Sequence, residues 1–189
     1  MKRLAIFASG TGSNAEAIAH HLADSRHEVG ILVTNNPVAG VLERLKRFKI
    51  KSLLTSDLQV PLEEELKDEG IDAIALAGYL KLIPKALIKA YPDRIWNIHP
   101  ALLPAYGGKG MYGDRIHRRV LKDGVSYTGV TIHAVNEKYD EGKILFQAAM
   151  RIEKEWNLED LAQHIHRLEH RYYPEVLHLL LDDLERSKK

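Results

Sequence analysis

Three stretches of this 189-residue chain, LAIFAS (4–9), EVGILVTN (28–35) and IDAIALAG (71–78), are short, largely continuous apolar runs with no strict polar alternation. Side chains alternate across a strand, so an unbroken apolar run has both faces covered, as in the centre of a parallel sheet. Between these runs lie NAEAIAHHLAD (14–24), GVLERLKRF (40–48), PLEEELKDEG and PKALIKAY, all with helical character. Pro61 opens the third of these and Gly70 closes it, the usual asymmetry of helix ends. KSLLT (51–55) and RIWNIH read as two more strands. This alternation predicts a three-layer, Rossmann-like α/β fold, a mostly parallel sheet with helices on both sides.

The pattern changes after residue 111. DRIHRRVLKDG (114–124) reads as a helix ending at Gly124. YTGVTIHAV (127–135) and KILFQAAMRI (143–152) are separated only by NEKYDEG, too short for a crossover helix, which predicts an antiparallel strand pair at one sheet edge. Asn157 can cap a last helix with Leu158, Leu161, Ile165, Leu168 and Tyr172 at helical spacing. Pro174 is expected to kink or interrupt it, and the terminal LERSKK to fray. With no linker, repeat or low-complexity segment, a single domain over 1–189 is expected.

Composition narrows the function classes. A net charge of +1 gives no sign of a nucleic-acid surface, and the absence of cysteine removes disulfides, thiolate metal sites and cysteine nucleophiles. The apolar run after MKR is shorter than the ~7–15 residues of a signal h-region and far shorter than the about 20 of a membrane span. A soluble, cytoplasmic protein is expected.

SGTGSNA (9–15) follows the first strand and opens the first helix. Gly10, Gly12 and Ala15 fit the G-x-G-x-x-A dinucleotide pattern, in which backbone N–H groups and a helix N-terminus meet an anion. That reading requires a carboxylate near the end of the second strand, where VTNNP instead offers Asn35 and Asn36. A single phosphate on a smaller substrate fits better, and a plain strand-to-helix turn remains an alternative.

Asn97 and His99, in RIWNIHPALLPAYGG (94–108), lie on one face of a strand that Pro100 ends, at the edge where open α/β sheets bind ligands. Histidine suits proton transfer near neutral pH and an asparagine amide suits a developing oxyanion. Taken alone, the tripeptide is equally a polar loop, and Asp140 in NEKYDEG is equally a turn residue.

FASGTGSN, ALAGYLKLIP, NIHPALLPAY and YDEGKILFQ together, in this order, resemble the glycinamide ribonucleotide transformylases, phosphoribosylglycinamide formyltransferases that use 10-formyltetrahydrofolate. The resemblance extends from residue 7 to about residue 174. It implies that Asn97, His99 and Asp140 are the catalytic residues. It further implies that Gly12, Ser13 and Asn14 hold the ribonucleotide phosphate and that Glu169 contacts the same substrate. Leu80, Lys81, Leu82 and Ile83, with Asn97, match the folate pocket, and His133 matches a histidine near the active site. The implied reaction is direct attack of the amine of phosphoribosylglycinamide on the formyl carbon, in purine biosynthesis, with neither metal nor covalent enzyme intermediate. The partners implied are these two small molecules, without nucleic acid or membrane, for a monomer or homodimer.

Several positions depart from the family pattern. Lys81 replaces an arginine fork by a point charge, Arg115 stands beside His117 where histidine is common, and His166 replaces a glutamine. The segment 51–65 lacks an arginine that some relatives direct to the folate tail. His164, His166 and His170 raise a metal reading, but without HExxH they fit better as a polar helix face. The rivals are formyltetrahydrofolate deformylase and methionyl-tRNA formyltransferase, whose usual extra domains have no room here. A nicotinamide oxidoreductase and a non-catalytic binding module of the same fold complete the alternatives.

Overall fold

The computed structural model of the protein describes residues 1–57 and 60–187. Residues 58 and 59 of the 51–65 segment, and Lys188 and Lys189 of LERSKK, lie outside the described residues.

Strands β1 (Arg3–Phe7), β2 (Glu28–Thr34), β3 (Lys51–Leu54), β4 (Ala73–Leu76) and β5 (Ile95–His99) are mutually parallel. β6 (Tyr127–Ala134) runs against β5, and β7 (Ile144–Arg151) runs against β6. The sheet order is β3-β2-β1-β4-β5-β6-β7, so β6 alone reverses direction and the antiparallel edge takes in β5 as well.

The continuous apolar runs have the predicted cause. On β1, Leu4 and Ile6 face one core and Ala5 and Phe7 the other, and all four are fully buried. The first core adds Ile18 and Leu22 of α1 (Ser13–Ala23) and Leu161, Ile165 and Leu177 of α6 (Leu158–Arg186). The second adds Leu66 and Leu87, from the helices α3 (Leu62–Asp68) and α4 (Lys85–Ala90). The two remaining helices are α2 (Gly40–Leu45), beside α1, and α5 (Asp114–Asp123), beside α6. Each fully buried aliphatic side chain contributes about 1.5–3 kcal/mol of transfer free energy.

α6 overturns the expected interruption and, as far as Arg186, the expected fraying. It runs without interruption through Pro174, because Tyr173, Pro174, Leu177 and Leu181 are all buried and hold both halves against the same core. It also stays helical to Arg186, where Glu185 receives Arg26 at 3.4 Å. Its N-terminus is capped as the sequence predicts: Asn157 accepts from the N–H groups of Glu159 and Asp160, and Asp160 returns a bond to the Asn157 N–H. The buried stripe passes through Leu161, Ile165, Glu169, Tyr173 and Leu177, leaving Leu168 and Tyr172 only partly covered. One carboxyl therefore sits in an otherwise apolar row.

After β1 the chain builds outward through β2 and β3, then returns to β4 on the other side of β1. The loops leaving β1 and β4 diverge, opening a crevice at the carboxyl edge of the sheet.

Candidate active site

The crevice is a cleft of about 380 Å³. Every site residue expected from the sequence lines it: Gly12, Ser13, Asn14 and Glu169; Leu80 to Ile83; and Asn97, His99 and Asp140. The turn after β1 with the start of α1, the loop after β4 and the helix α6 supply the first two groups, and β5 with the β6–β7 turn supplies the third.

The turn after β1 is shaped by close packing. Gly12 has φ 83°, and a Cβ there would lie 2.5 Å from the Val41 side chain, so glycine is required for α2 to pack on the turn. No side chain caps the N-terminus of α1, which leaves its first N–H groups for an anion in the cleft. Asn35 and Asn36 serve the turn itself: Ser9 Oγ donates to Asn35 Oδ1 at 2.5 Å and Asn36 Nδ2 donates to the Ser9 carbonyl at 3.2 Å.

Behind the turn, Asn14 Nδ2 donates to Glu169 Oε2 at 3.0 Å. Asn14 Oδ1 is buried without a hydrogen-bond partner, an acceptor waiting for a donor. Burial pushes the Glu169 carboxyl up to about 7, and the bond from Asn14 only partly opposes this.

Asn97 and His99 lie on the same face of β5, and Asp140 reaches them from the β6–β7 turn, where its φ is 57°. The Asp140 Oδ2 atom accepts from the Gly108 N–H at 2.9 Å and lies 3.6 Å from His99 Nδ1, while Oδ1 lies 3.6 Å from His133 Nε2. Asp140 is thus a turn residue that also lines the cleft. His99 Nε2 is 2.9 Å from the Tyr106 carbonyl, which can only accept, so Nε2 carries a proton.

The two partners titrate downward for different reasons. For His99, burial disfavours the imidazolium and outweighs Asp140 and the Tyr106 carbonyl, which favour it. For Asp140, burial acts to raise the carboxyl, but His133, His99 and the Gly108 N–H together hold it below its usual value. The net arrangement is a carboxylate beside a largely neutral, proton-carrying imidazole.

Leu80 and Leu82 are 59% and 48% exposed, and Ile83 is buried, giving one apolar wall with Lys81 on it. His166 lines the cleft, whereas His164 turns away to stack on Trp156 at 4.0 Å between ring centroids. Arg115 lies over the Tyr112 ring at 4.7 Å. Two contributors carry no clear sequence signal. His117 is a buried cleft residue whose imidazolium is disfavoured by burial and by His166. The Tyr106 carbonyl and Gly108 N–H are backbone groups, which every residue possesses.

Among the described residues, His27, His178 and Asp182 bring possible ligand atoms within 4.8 Å of one another, and none of the three lines this cleft. His27 Nδ1 accepts the Lys2 N–H at 3.1 Å, so its Nε2 bears the proton and donates to Asp182 Oδ1 at 2.7 Å. A protonated nitrogen is no ligand, and the group is a clasp between α6 and the start of β2.

An open α/β sheet with an amide, an imidazole and a carboxylate gathered beside a phosphate-type turn is the framework of an acyl-transfer enzyme, and the chain belongs to the formyl transferase family, matching it over residues 2–177. It is 38% identical to the phosphoribosylglycinamide formyltransferase of Bacillus subtilis over the full length of both chains. It is 44% identical to the chloroplastic phosphoribosylglycinamide formyltransferase of Arabidopsis thaliana, covering 96% of this chain and 66% of that longer protein. Among solved structures, the phosphoribosylglycinamide formyltransferase of Bacillus halodurans superposes with a TM-score of 0.84 at 42% identity, covering 95% of each chain. Glycinamide ribonucleotide transformylase 1 of Symbiobacterium toebii gives 0.87 at 33% identity, covering 97% of this chain and 89% of that one. Among the described residues no helix is long and apolar enough to cross a membrane.

Proposed function

We propose that this chain transfers the formyl group of 10-formyltetrahydrofolate to the amino group of 5-phosphoribosylglycinamide, in purine biosynthesis. In this reading residues 1–189 act as one formyltransferase domain in the cytoplasm, as a monomer or homodimer on two small-molecule substrates. The observation that carries it is the convergence of Asn97, His99 and Asp140 on one cleft, with an uncapped helix N-terminus at one end and an exposed apolar wall at another. The names borne by the relatives supply the acceptor and the formyl group, and the folate donor follows from the resemblance of the sequence motifs.

The uncapped start of α1, with Gly12, Ser13 and Asn14, receives the phosphate, and Glu169 with the unpartnered Asn14 Oδ1 accepts hydroxyl or amide donors of the same substrate. Leu80, Leu82 and Ile83 offer apolar contact to a flat heterocycle, and Lys81 meets an anionic tail. The amine lone pair forms a bond to the formyl carbon and the carbonyl π pair moves to oxygen. Asn97 donates to that oxygen, a contact worth about 3–4 kcal/mol in such sites. Collapse returns the pair, breaks the carbon–N10 bond and leaves N10 to take a proton, while the former amine loses one. His99 supplies its proton-bearing nitrogen to the oxyanion when the loop carbonyl of Tyr106 yields, and Asp140 stabilises the imidazolium that forms as protons pass.

Only the uncharged amine attacks, so activity falls toward acid pH. A rate that stays level from about pH 5 to 9, with chemistry limiting, speaks against this proton accounting. The deciding assay supplies ribonucleotide and formylfolate and measures both free tetrahydrofolate and formylated ribonucleotide. Equal release of the two is expected, with His99→Ala lowering kcat by about 10²–10³-fold. Tetrahydrofolate without formylated ribonucleotide makes the chain a hydrolase, and turnover insensitive to His99 removes the catalytic assignment.

A further inference from the structure

His133 sits directly opposite Asn97 in the β5–β6 ladder, so the two side chains share one face. The pairing of β6 with β7 slips between Ile132 and His133, where Leu145 is the extra residue on β7. The ring is 2% exposed and meets three groups. Its Nδ1 is 2.9 Å from the Ala134 carbonyl oxygen, and its Nε2 is 3.1 Å from Asn97 Nδ2 and 3.6 Å from Asp140 Oδ1.

A carbonyl can only accept, so Nδ1 carries a proton. In the neutral ring Nε2 is then a lone pair and requires a donor. Asp140, an acceptor that competes for a hydrogen bond from this nitrogen, supplies none. Of the two ends of the Asn97 amide, only the nitrogen does. The imidazole therefore fixes which way the amide faces, and the same nitrogen keeps a second N–H on a residue that lines the cleft.

We propose that His133 is a positioning residue for the reaction: its lone-pair Nε2 holds the Asn97 amide nitrogen so that the second N–H meets the oxygen on which negative charge develops. The inference rests on the formyl-transfer reading of Asn97 given above. A proton on Nε2 undoes the arrangement. The ring then donates to Asp140 Oδ1 or to the Asn97 oxygen, and the amide reverses, turning a lone pair toward the developing oxyanion. The groups facing His133 are Asn97 from β5, Asp140 from the β6–β7 turn and, within electrostatic range, His99. Its register partner on β7, Ile144, is apolar.

Two amide substitutions separate this role from simple packing. His133→Gln sets an oxygen near the Nε2 position, an acceptor that does not protonate near neutral pH. His133→Asn reaches only the Nδ1 position and leaves Asn97 unheld. H133Q is expected to keep kcat within about threefold of the wild type, and H133N to lose tenfold or more at unchanged KM. Nitrogen-15 spectra of histidine-labelled wild-type protein are expected to show Nδ1 protonated and Nε2 bare, a result that does not depend on either variant folding. Equal activities of H133Q and H133N, or an Nε2–H tautomer, each overturn the proposal. A wild type that shows the expected tautomer but forms no formylated ribonucleotide overturns the formyl-transfer reading alone.

Discussion

Glu169 stands between Ile165 and Tyr173 in the buried row of α6, with Asn14 as its one side-chain donor. A carboxyl this deep stays protonated more readily folded than unfolded, and its value of about 7 in the fold compares with 4.5 when free. The sign follows from linkage: a raised carboxyl contributes its full stability below the unfolded value and loses it as pH rises through the folded one. The wild type is therefore expected to lose on the order of 3 kcal/mol from this group as pH rises from about 4.5 past 7. Glu169→Gln removes that slope, which urea midpoints at pH 5 and pH 8 would reveal, and raises KM for the ribonucleotide more than it lowers kcat. Equal slopes in the two proteins would show that Glu169 does not carry this titration. The sequence marks Glu169 only through its family motif; its helical stripe gives a burial row but no reason for a carboxyl within it.

The β6–β7 turn holds Asp140 because its backbone leaves no room to do otherwise. A Cβ on Gly142 would fall 1.7 Å from the Ala134 carbonyl oxygen, the same oxygen that takes the His133 Nδ1–H. Gly142→Ala must open the turn, at a cost of about 1–3 kcal/mol. It is expected to lower the melting temperature by roughly 2–4 °C per kcal/mol and to reduce kcat as Asp140 shifts. A variant that melts early but retains full kcat would separate the turn from the chemistry. On α6, Asp182 accepts His27 at 2.7 Å and Arg26 at 2.7 Å, and these two bonds hold its carboxyl near 2. A depressed carboxylate stabilises the fold above its unfolded value of 3.8 and ceases to do so as pH falls toward about 2. Asp182→Asn is accordingly less stable than wild type at pH 6, and the gap in denaturation midpoint closes below pH 3. A gap that does not change with pH would place the effect in packing instead.

At the scale of the molecule, α6 reaches the site from beneath. The fully buried Tyr173 hydroxyl lies 3.1 Å from the Leu76 carbonyl and 2.9 Å from the Trp96 carbonyl, joining the helix to the end of β4 and to β5 one residue before Asn97. Tyr173→Phe removes the single O–H that these two carbonyls share. It is expected to cost about 1–3 kcal/mol in chemical denaturation, with the far-ultraviolet circular dichroism unchanged. No loss would mean that other donors already satisfy those groups. The reversal of strand order between β1 and β4 brings the turn after β1, the wall after β4 and the end of β5 to one rim, and α6 closes it from below.

The chain by itself determined its strands, its layers and the sheet edge at which Asn97 and His99 stand. Two-sided burial demands unbroken apolar runs, a helix start demands a cap such as Asn157, and a strand exit at Pro100 places Asn97 and His99 on a common face. These are local requirements, written in neighbouring residues. What only the tertiary structure decided is which groups far apart in the chain meet: Asn97 with His133, His99 with the Tyr106 carbonyl and Asp140, and Asn14 with Glu169. Strand register and helix docking follow from the summed burial of two cores, not from any short segment. Pro174 shows the same limit, since its local tendency to break a helix was overridden by the core on either side of it.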